Sequence, residues 1–233
     1  MEFILDVLAD GIRYLIDFGP DLRGIIVLTL FISLSATAIG ATIGVPFGVW
    51  LGQARFSGRW LVVTMVNVGM GFPPVLAGLF ILLLVWGEGP LGGLELLFTP
   101  MAMVLVQSVL ALPIAIGVSL GAVSGLSPAA TEQLRALRLP LVGRLRILTI
   151  EARVGVLAAV AAAFGRVIAE VGAVLIVGGN IAGETRVLTT AIVQETRQAR
   201  FGAAIALGIV LLVLSTVVNG GLSWLQTRGT ADV

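Results

Sequence analysis

The stretch 163–180, AFGRVIAEVGAVLIVGGN, decides the fold, because it is apolar enough to enter a membrane and yet contains Arg166 and Glu170. A charged side chain at the centre of a bilayer costs about 3 kcal/mol on insertion scales, so such residues face the interior of a bundle or a watery cavity. The i, i+4 spacing places the two side chains on one face of a helix, where they can pair. We therefore expect a spanning helix with an interior intrahelical ion pair, either as a structural lock or as part of a pathway.

The composition supports a membrane protein. Of the 233 residues, 58% are hydrophobic and 12% are charged, and the mean hydropathy is +1.10. A soluble domain is closer to half apolar and a quarter charged. The chain has no Cys and no His, and all 14 basic residues are Arg, so thiolate metal sites and the usual general bases are excluded. We predict no metal, no catalytic residue and no cofactor in this chain, and the net charge of +1 gives no indication of nucleic-acid binding.

Five segments are long and apolar enough to span a bilayer, which needs about 20 residues. They are residues 24–52, 60–86, 100–124, 154–179 and 201–225. Residues 1–23 carry an apolar stripe at helical spacing and predict an amphipathic helix on the membrane surface. The sequence thus predicts an all-α membrane protein: an N-terminal amphipathic segment over 1–23 and a transmembrane domain over 24–233, with a cytoplasmic loop at 125–153.

Arginine is distributed unequally between the two sides of this arrangement. Eight Arg fall on the side that holds loop 125–153 and five on the other. Cytoplasmic loops are enriched in basic residues. We therefore predict a multi-pass protein of the inner cell membrane with its N-terminus outside and its C-terminus inside.

Small residues recur at every fourth position of the first span. They are Ala36, Gly40, Gly44, Gly48 and Gly52. Such a stripe lets another helix approach closely. The sequence leaves open whether the partner is a helix of the same chain or of a second subunit.

Proline interrupts three of the spans near their middles. Pro46, the pair Pro73 and Pro74, and Pro113 each remove a backbone donor and are expected to bend or break the helix. Transporters line central pathways with such broken helices. For each of these prolines, the alternative to a pathway-lining break is a static kink in the helix.

The long loop 125–153 contains a short helix of its own. Ser127 suits the N-cap and Pro128 the first turn, and residues 129–137 predict a helix too polar to span. A capped cytoplasmic helix that presents Glu132 and Arg135 is suited to docking another protein. An interfacial helix without a partner is the alternative.

At this loop the chain resembles the permease subunits of type I ATP-binding-cassette (ABC) importers, whose coupling loop carries an EAA pattern followed by a Gly. Here the matching stretch is residues 132–137, EQLRAL, with Gln133 and Leu134 in place of Ala-Ala and Arg138 in place of the Gly. The resemblance implies the type I importer fold and an ATPase contact at the coupling positions. These positions are Ala130, Glu132, Gln133, Arg135, Ala136 and Arg138.

The next stretch is similar to the permeases of tungstate-uptake importers. The motifs are EAR at 151–153, GRVIAEVGA at 165–173, VGGNI at 177–181 and TRVLTTAI at 185–192. Molybdate permeases share the architecture, so molybdate or another oxyanion is the alternative substrate. The resemblance implies a homodimer, two ABC ATPase subunits that bind ATP, and an extracytoplasmic oxyanion-binding protein. The chain has no Lys for a phosphate-binding loop of its own.

In this scheme Arg166 offers a positive field to the oxyanion, and Glu170 holds Arg166 and offsets its charge. Neutral donors would lie nearer the outer mouth. The candidate pathway or gate residues are Arg166, Glu170, Asn180, Thr189, Thr190, Pro73 and Pro74. Two other classes of function are the alternatives. A secondary transporter driven by an ion gradient would use Glu170 as the single carboxylate within the spans. A membrane-embedded enzyme lacks the residues for a catalytic site.

Overall fold

A computed structural model of the protein describes residues 2–17, 20–127 and 139–231, and these residues form helices and connections without a β-strand. The helices are α1 (Glu2–Ile16), α2 (Pro20–Gln53), α3 (Arg59–Met70), α4 (Pro74–Val85), a 3₁₀ turn (Gly92–Leu94), α5 (Pro100–Ser124), α6 (Leu141–Glu151), α7 (Arg153–Ile168), α8 (Gly172–Gly178), α9 (Leu188–Arg197) and α10 (Phe201–Ala231). The predicted all-α class is confirmed.

Three of these helices, α2, α5 and α10, are long and apolar enough to cross a membrane. Two broken pairs, α3 with α4 and α6 with α7, raise the number of candidate spans in the described residues to five. The prediction of about five spans is confirmed, but the segments differ. Residues 141–151, assigned from the sequence to the polar loop, form α6, which meets α7 at an angle of 82°.

The chain divides into two compact units. The first comprises Met1–Ala36, Pro73–Gln107 and Val167–Val218, and the second comprises Thr37–Phe72, Ser108–Arg166 and Asn219–Val233. Helix α2 contributes its first half to the first unit and its second half to the second.

In the second unit the glycine stripe of α2 packs against α5. A Cβ added at Gly40 would lie 2.7 Å from the Cβ of Ala111, and one at Gly44 would lie 2.8 Å from that of Ala115. At Gly48 an added Cβ would collide with a backbone carbonyl oxygen of α5. Since real Cβ atoms do not approach this closely, glycine is required where the two backbones meet. The stripe's partner within this unit is a helix of the same chain, which the sequence left open.

The prolines do not act alike. Helix α2 continues through Pro46 and α5 continues through Pro113, so neither proline breaks its helix, and a bend at these positions stays a prediction. The pair Pro73 and Pro74 does mark a break, since α3 ends at Met70 and α4 begins at Pro74. Adjacent prolines remove two donors, and Pro74 occupies the first turn of α4, where its missing N–H costs nothing.

In the first unit α1 is held against α10. A Cβ at Gly11 would lie 2.9 Å from the carbonyl oxygen of Gly202, so the two backbones are in close contact. A core of Leu22, Leu188 and Leu207 forms nearby, and Leu15 of α1 packs against it. The predicted N-terminal helix is confirmed, and its apolar side is partly covered by the chain itself.

Candidate translocation site

The fourth predicted span is interrupted at its charged residues. Helix α7 ends at Ile168, and α8 begins at Gly172. Arg166 lies in the last turn of α7, whereas Glu170 lies beyond the end of that helix. The intrahelical i, i+4 geometry predicted for the two charges is therefore wrong, because no continuous helix carries both.

Glu170 caps the following helix. Its side chain is 7% exposed. One carboxylate oxygen, Oε1, accepts hydrogen bonds from the backbone N–H groups of Val171 (3.0 Å), Gly172 (2.8 Å) and Ala173 (3.3 Å). The first N–H groups of a helix have no partner within the helix, and a negative charge there is stabilised by the helix dipole. Glu170 thus supplies the acceptor for backbone N–H groups that the break leaves without a partner within a helix.

The carbonyl groups at the break are also satisfied. The Val167 carbonyl accepts from the Glu170 N–H (3.1 Å) and from the side-chain amide of Gln107 (3.2 Å). The Glu170 carbonyl accepts from the Thr189 hydroxyl (3.0 Å). Gln107 and Thr189 are each 4% exposed. Non-helical backbone at membrane depth is tolerated where it is buried in protein and bonded, and this break meets both conditions.

The two broken spans contribute helix starts that lie side by side in the first unit. A Cβ at Gly172 would lie 2.9 Å from Val75, the second residue of α4. One turn further along α4, a Cβ at Gly78 would lie 2.9 Å from the Cα of Ala173. The structure thus places the start of α4, at Pro74, next to the start of α8 beside Glu170.

The neutral donors suggested by the sequence make bonds within the protein. The Thr189 hydroxyl donates to the Glu170 carbonyl, and the Thr190 hydroxyl donates to the Val187 carbonyl and accepts from its N–H (3.0 and 3.1 Å). The Asn180 amide donates to the Gln194 side chain at 2.5 Å. A donor role toward a passing anion would require these internal bonds to open.

Gln107 is the contact that the sequence analysis missed. It lies within α5, 60 residues before the carbonyl to which it donates, and its Oε1 is a buried atom without a hydrogen-bond partner. A polar residue inside a strongly apolar span was the available signal, since buried amides require partners.

A cluster of charged side chains lies in the first unit, near α1. Tyr14, Asp21, Arg186, Glu195 and Arg200 line a cavity of about 360 Å³. Arg200 donates two hydrogen bonds to Glu195, at 2.5 and 2.9 Å. Burial raises the pKa of Tyr14, and the negative charge of Glu195 raises it further. The bonded carboxylate of Glu195 raises the pKa of Arg200.

The coupling positions lie outside the described residues. They are Ala130, Glu132, Gln133, Arg135, Ala136 and Arg138, all within 128–138. Their assignment as an ATPase contact stays a prediction.

Comparison with known proteins identifies relatives over most of the chain. The family described as "Binding-protein-dependent transport system inner membrane component" matches residues 44–229. A "Probable anion ABC transporter permease protein" of Haloferax volcanii is 42% identical, covering 85% of this chain and 88% of that protein. The "Tungstate uptake system permease protein TupB" of Peptoclostridium acidaminophilum is 35% identical, covering 97% of this chain and 99% of that protein.

Solved structures share the fold. A chain of the methionine ABC transporter MetNI in an inward-facing conformation superposes with a TM-score of 0.68 at 19% identity, covering 91% of this chain and 95% of that one. A bacterial ABC transporter involved in alginate import gives a TM-score of 0.73 at 18% identity, covering 94% and 83%. The fold is that of the type I ABC importer transmembrane subunits.

Proposed function

Because this chain belongs to the family of binding-protein-dependent transport system inner membrane components, we propose that it is the permease subunit of an ATP-driven importer of tungstate. The chain is a membrane-embedded transport permease and not a catalytic subunit. The observation that carries the proposal is the likeness, along nearly the full length of both chains, to a tungstate uptake permease. A second TupB, from Campylobacter jejuni, is 35% identical over 71% of this chain.

Molybdate is the second candidate substrate. A "Probable molybdenum ABC transporter permease protein" of Haloferax volcanii is 32% identical, but the match covers only 60% of this chain. Tungstate and molybdate are tetrahedral dianions of closely similar shape, so the same passage could serve both, and the better coverage favours tungstate.

In the proposed mechanism Arg166 supplies a positive field to the anion in the passage. Glu170 prevents the oxyanion from binding tightly at the start of α8. Its carboxylate already occupies the N–H groups that would otherwise bind an oxyanion. A passage must bind its ion well enough to admit it and weakly enough to release it. The chain is interrupted before α4, which begins at Pro74, and before α8, which begins at Gly172. These two neighbouring breaks are points at which the bundle can rearrange.

ATP is proposed to act on separate ATPase subunits, each docked on the coupling positions of one permease in a homodimer. A separate binding protein would deliver the anion from outside, with the N-terminus of the permease on that side. ATP binding would bring the two coupling segments together and open the passage outward. Hydrolysis would return it to the inward-facing state.

The test is uptake by proteoliposomes that contain the permease with its ATPase subunits, supplied with its binding protein. We expect accumulation of tungstate that requires ATP and exceeds accumulation of molybdate. Glu132→Lys at the proposed ATPase contact should abolish uptake and stimulated hydrolysis while the subunits still fold. Uptake by the permease alone, driven by a proton or sodium gradient, would instead establish a secondary transporter.

A further inference from the structure

A basic pocket lies in the second unit, at the end of α2 and the turn into α3. Its volume is about 270 Å³, and its lining includes Arg55, Arg59 and Ser124. Among the described residues that line it there is no Asp or Glu. Arg59 is held in place because its Nε donates to the Leu51 carbonyl at 3.2 Å. The pocket therefore presents two guanidinium groups, one of them fixed, with no acidic side chain in its lining to neutralise them.

Aromatic side chains mark this level of the protein as a membrane interface. Trp60, next to Arg59, is 71% exposed, and Phe56 is 40% exposed. The Phe56 ring stacks on Trp50, with centroids 5.8 Å apart and an interplanar angle of 18°. Exposed Trp beside Arg is typical of the headgroup region of a bilayer.

An apolar groove runs along the part of α2 that precedes the basic pocket. It is lined by Ile43, Phe47 and Trp50, and across from them by Ile116 of α5. Its volume is about 660 Å³. Pro46 lines the groove, and Gln53, seven residues and so about two turns further along the same face of α2, lines the basic pocket. From residue 43 to residue 50 the groove follows α2 for roughly 10 Å, at about 1.5 Å per residue.

We propose that the pocket and groove together bind one anionic phospholipid, with its headgroup phosphate between Arg55 and Arg59 and an acyl chain along the groove. Exchanging one lipid tail for another gains little, because lipid tails are as apolar as the groove. The choice of lipid therefore depends on the headgroup. A zwitterionic headgroup brings no net charge to the two arginines, whereas an anionic one does.

The experiment measures lipid retention by the full-length permease in detergent, using native mass spectrometry. Phosphatidylglycerol and phosphatidylcholine with the same acyl chains are offered to wild type and to the Arg55→Gln/Arg59→Gln double variant. Basic groups near a membrane strengthen anionic lipid binding about fivefold each, so the double variant should bind phosphatidylglycerol roughly thirtyfold more weakly. Phosphatidylcholine binding should be weak in wild type and unchanged in the variant.

The matched control is Arg228→Gln. Arg228 lies 3.8 Å over the ring of Trp224, so it is also an arginine beside an aromatic side chain, but it does not line the pocket. This variant should keep full phosphatidylglycerol retention. If the double variant does not give a monodisperse protein, Arg55→Gln alone, at an exposed position, should still weaken binding about fivefold.

Three results would overturn the proposal. The first is equal retention of the two lipids by wild type, and the second is retention of phosphatidylglycerol by the double variant at the wild-type level. The third is binding of inorganic phosphate or tungstate to the lipid-free protein with loss of that binding in the double variant. That result would assign the pocket to a free oxyanion and not to a lipid.

Discussion

Replacing Glu170 tests what holds the break between α7 and α8. In Glu170→Ala, three backbone N–H groups lose the acceptor that now lies 2.8–3.3 Å away. A buried donor left without a partner costs about 1 kcal/mol or more, so the loss of stability should be about 3 kcal/mol. In Glu170→Gln the amide oxygen still accepts, and only the charge is lost, at about 1 kcal/mol.

The assay is the midpoint of thermal unfolding of the purified protein in detergent. For a chain of this size, 1 kcal/mol corresponds to a shift of about 2–4 °C. We therefore expect Glu170→Ala to lower the midpoint by roughly 6–12 °C and Glu170→Gln by roughly 2–4 °C. Glu88→Ala, at an exposed position in the connection after α4, is the control and should lie within about 1 °C of wild type.

The ratio of the stability losses in Glu170→Gln and Glu170→Ala decides between capping and ion pairing as the role of Glu170. If Glu170 serves mainly to neutralise Arg166, then Gln strands the arginine as fully as Ala does, at about 3–5 kcal/mol for a buried pair. Equal losses for Gln and Ala would therefore refute the capping argument. No loss for Ala would show that the break does not depend on Glu170 at all.

Three further predictions concern the packing, the charged cluster and the orientation. Gly48→Ala drives a Cβ into an α5 carbonyl oxygen and should lower the unfolding midpoint by about 5 °C, whereas Gly24→Ala in the same helix, where no atom lies within 4 Å, should not lower it. Tyr14 is the single tyrosine, so absorbance at 295 nm reports its ionisation directly; the midpoint should lie above 10.0, and a value at or below 10.0 would contradict the burial argument. Because the neutral form is favoured in the folded state, the stability that Tyr14 contributes is complete below about pH 10 and is lost as pH rises through the folded pKa. With no native Cys, Arg13→Cys should react with an impermeant maleimide from outside and Arg146→Cys only from inside, and the reverse pattern would refute the proposed orientation.

Several features could be predicted from the sequence because they depend on local composition and spacing. Apolar segments of sufficient length specify spanning helices wherever the chain meets a bilayer, which gave the all-α class and about five spans. The glycine stripe of α2 followed from the spacing of small residues alone. The motifs at 151–192 indicated the importer family by their residues and spacing, and the matching relatives confirm it.

The tertiary structure decided where the helices end and which helices meet. The run at 163–180 is as apolar after Ala169 as before it, so hydropathy predicts a single span. The break exists because Gln107 and Thr189, distant in sequence, satisfy its carbonyl groups while Glu170 satisfies its N–H groups. Helix α2 likewise continues through Pro46 although proline favours a break. Spacing along a chain specifies a helix face, but the partner of that face and of each free backbone group is set by distant residues, which only the packed fold brings within bonding distance.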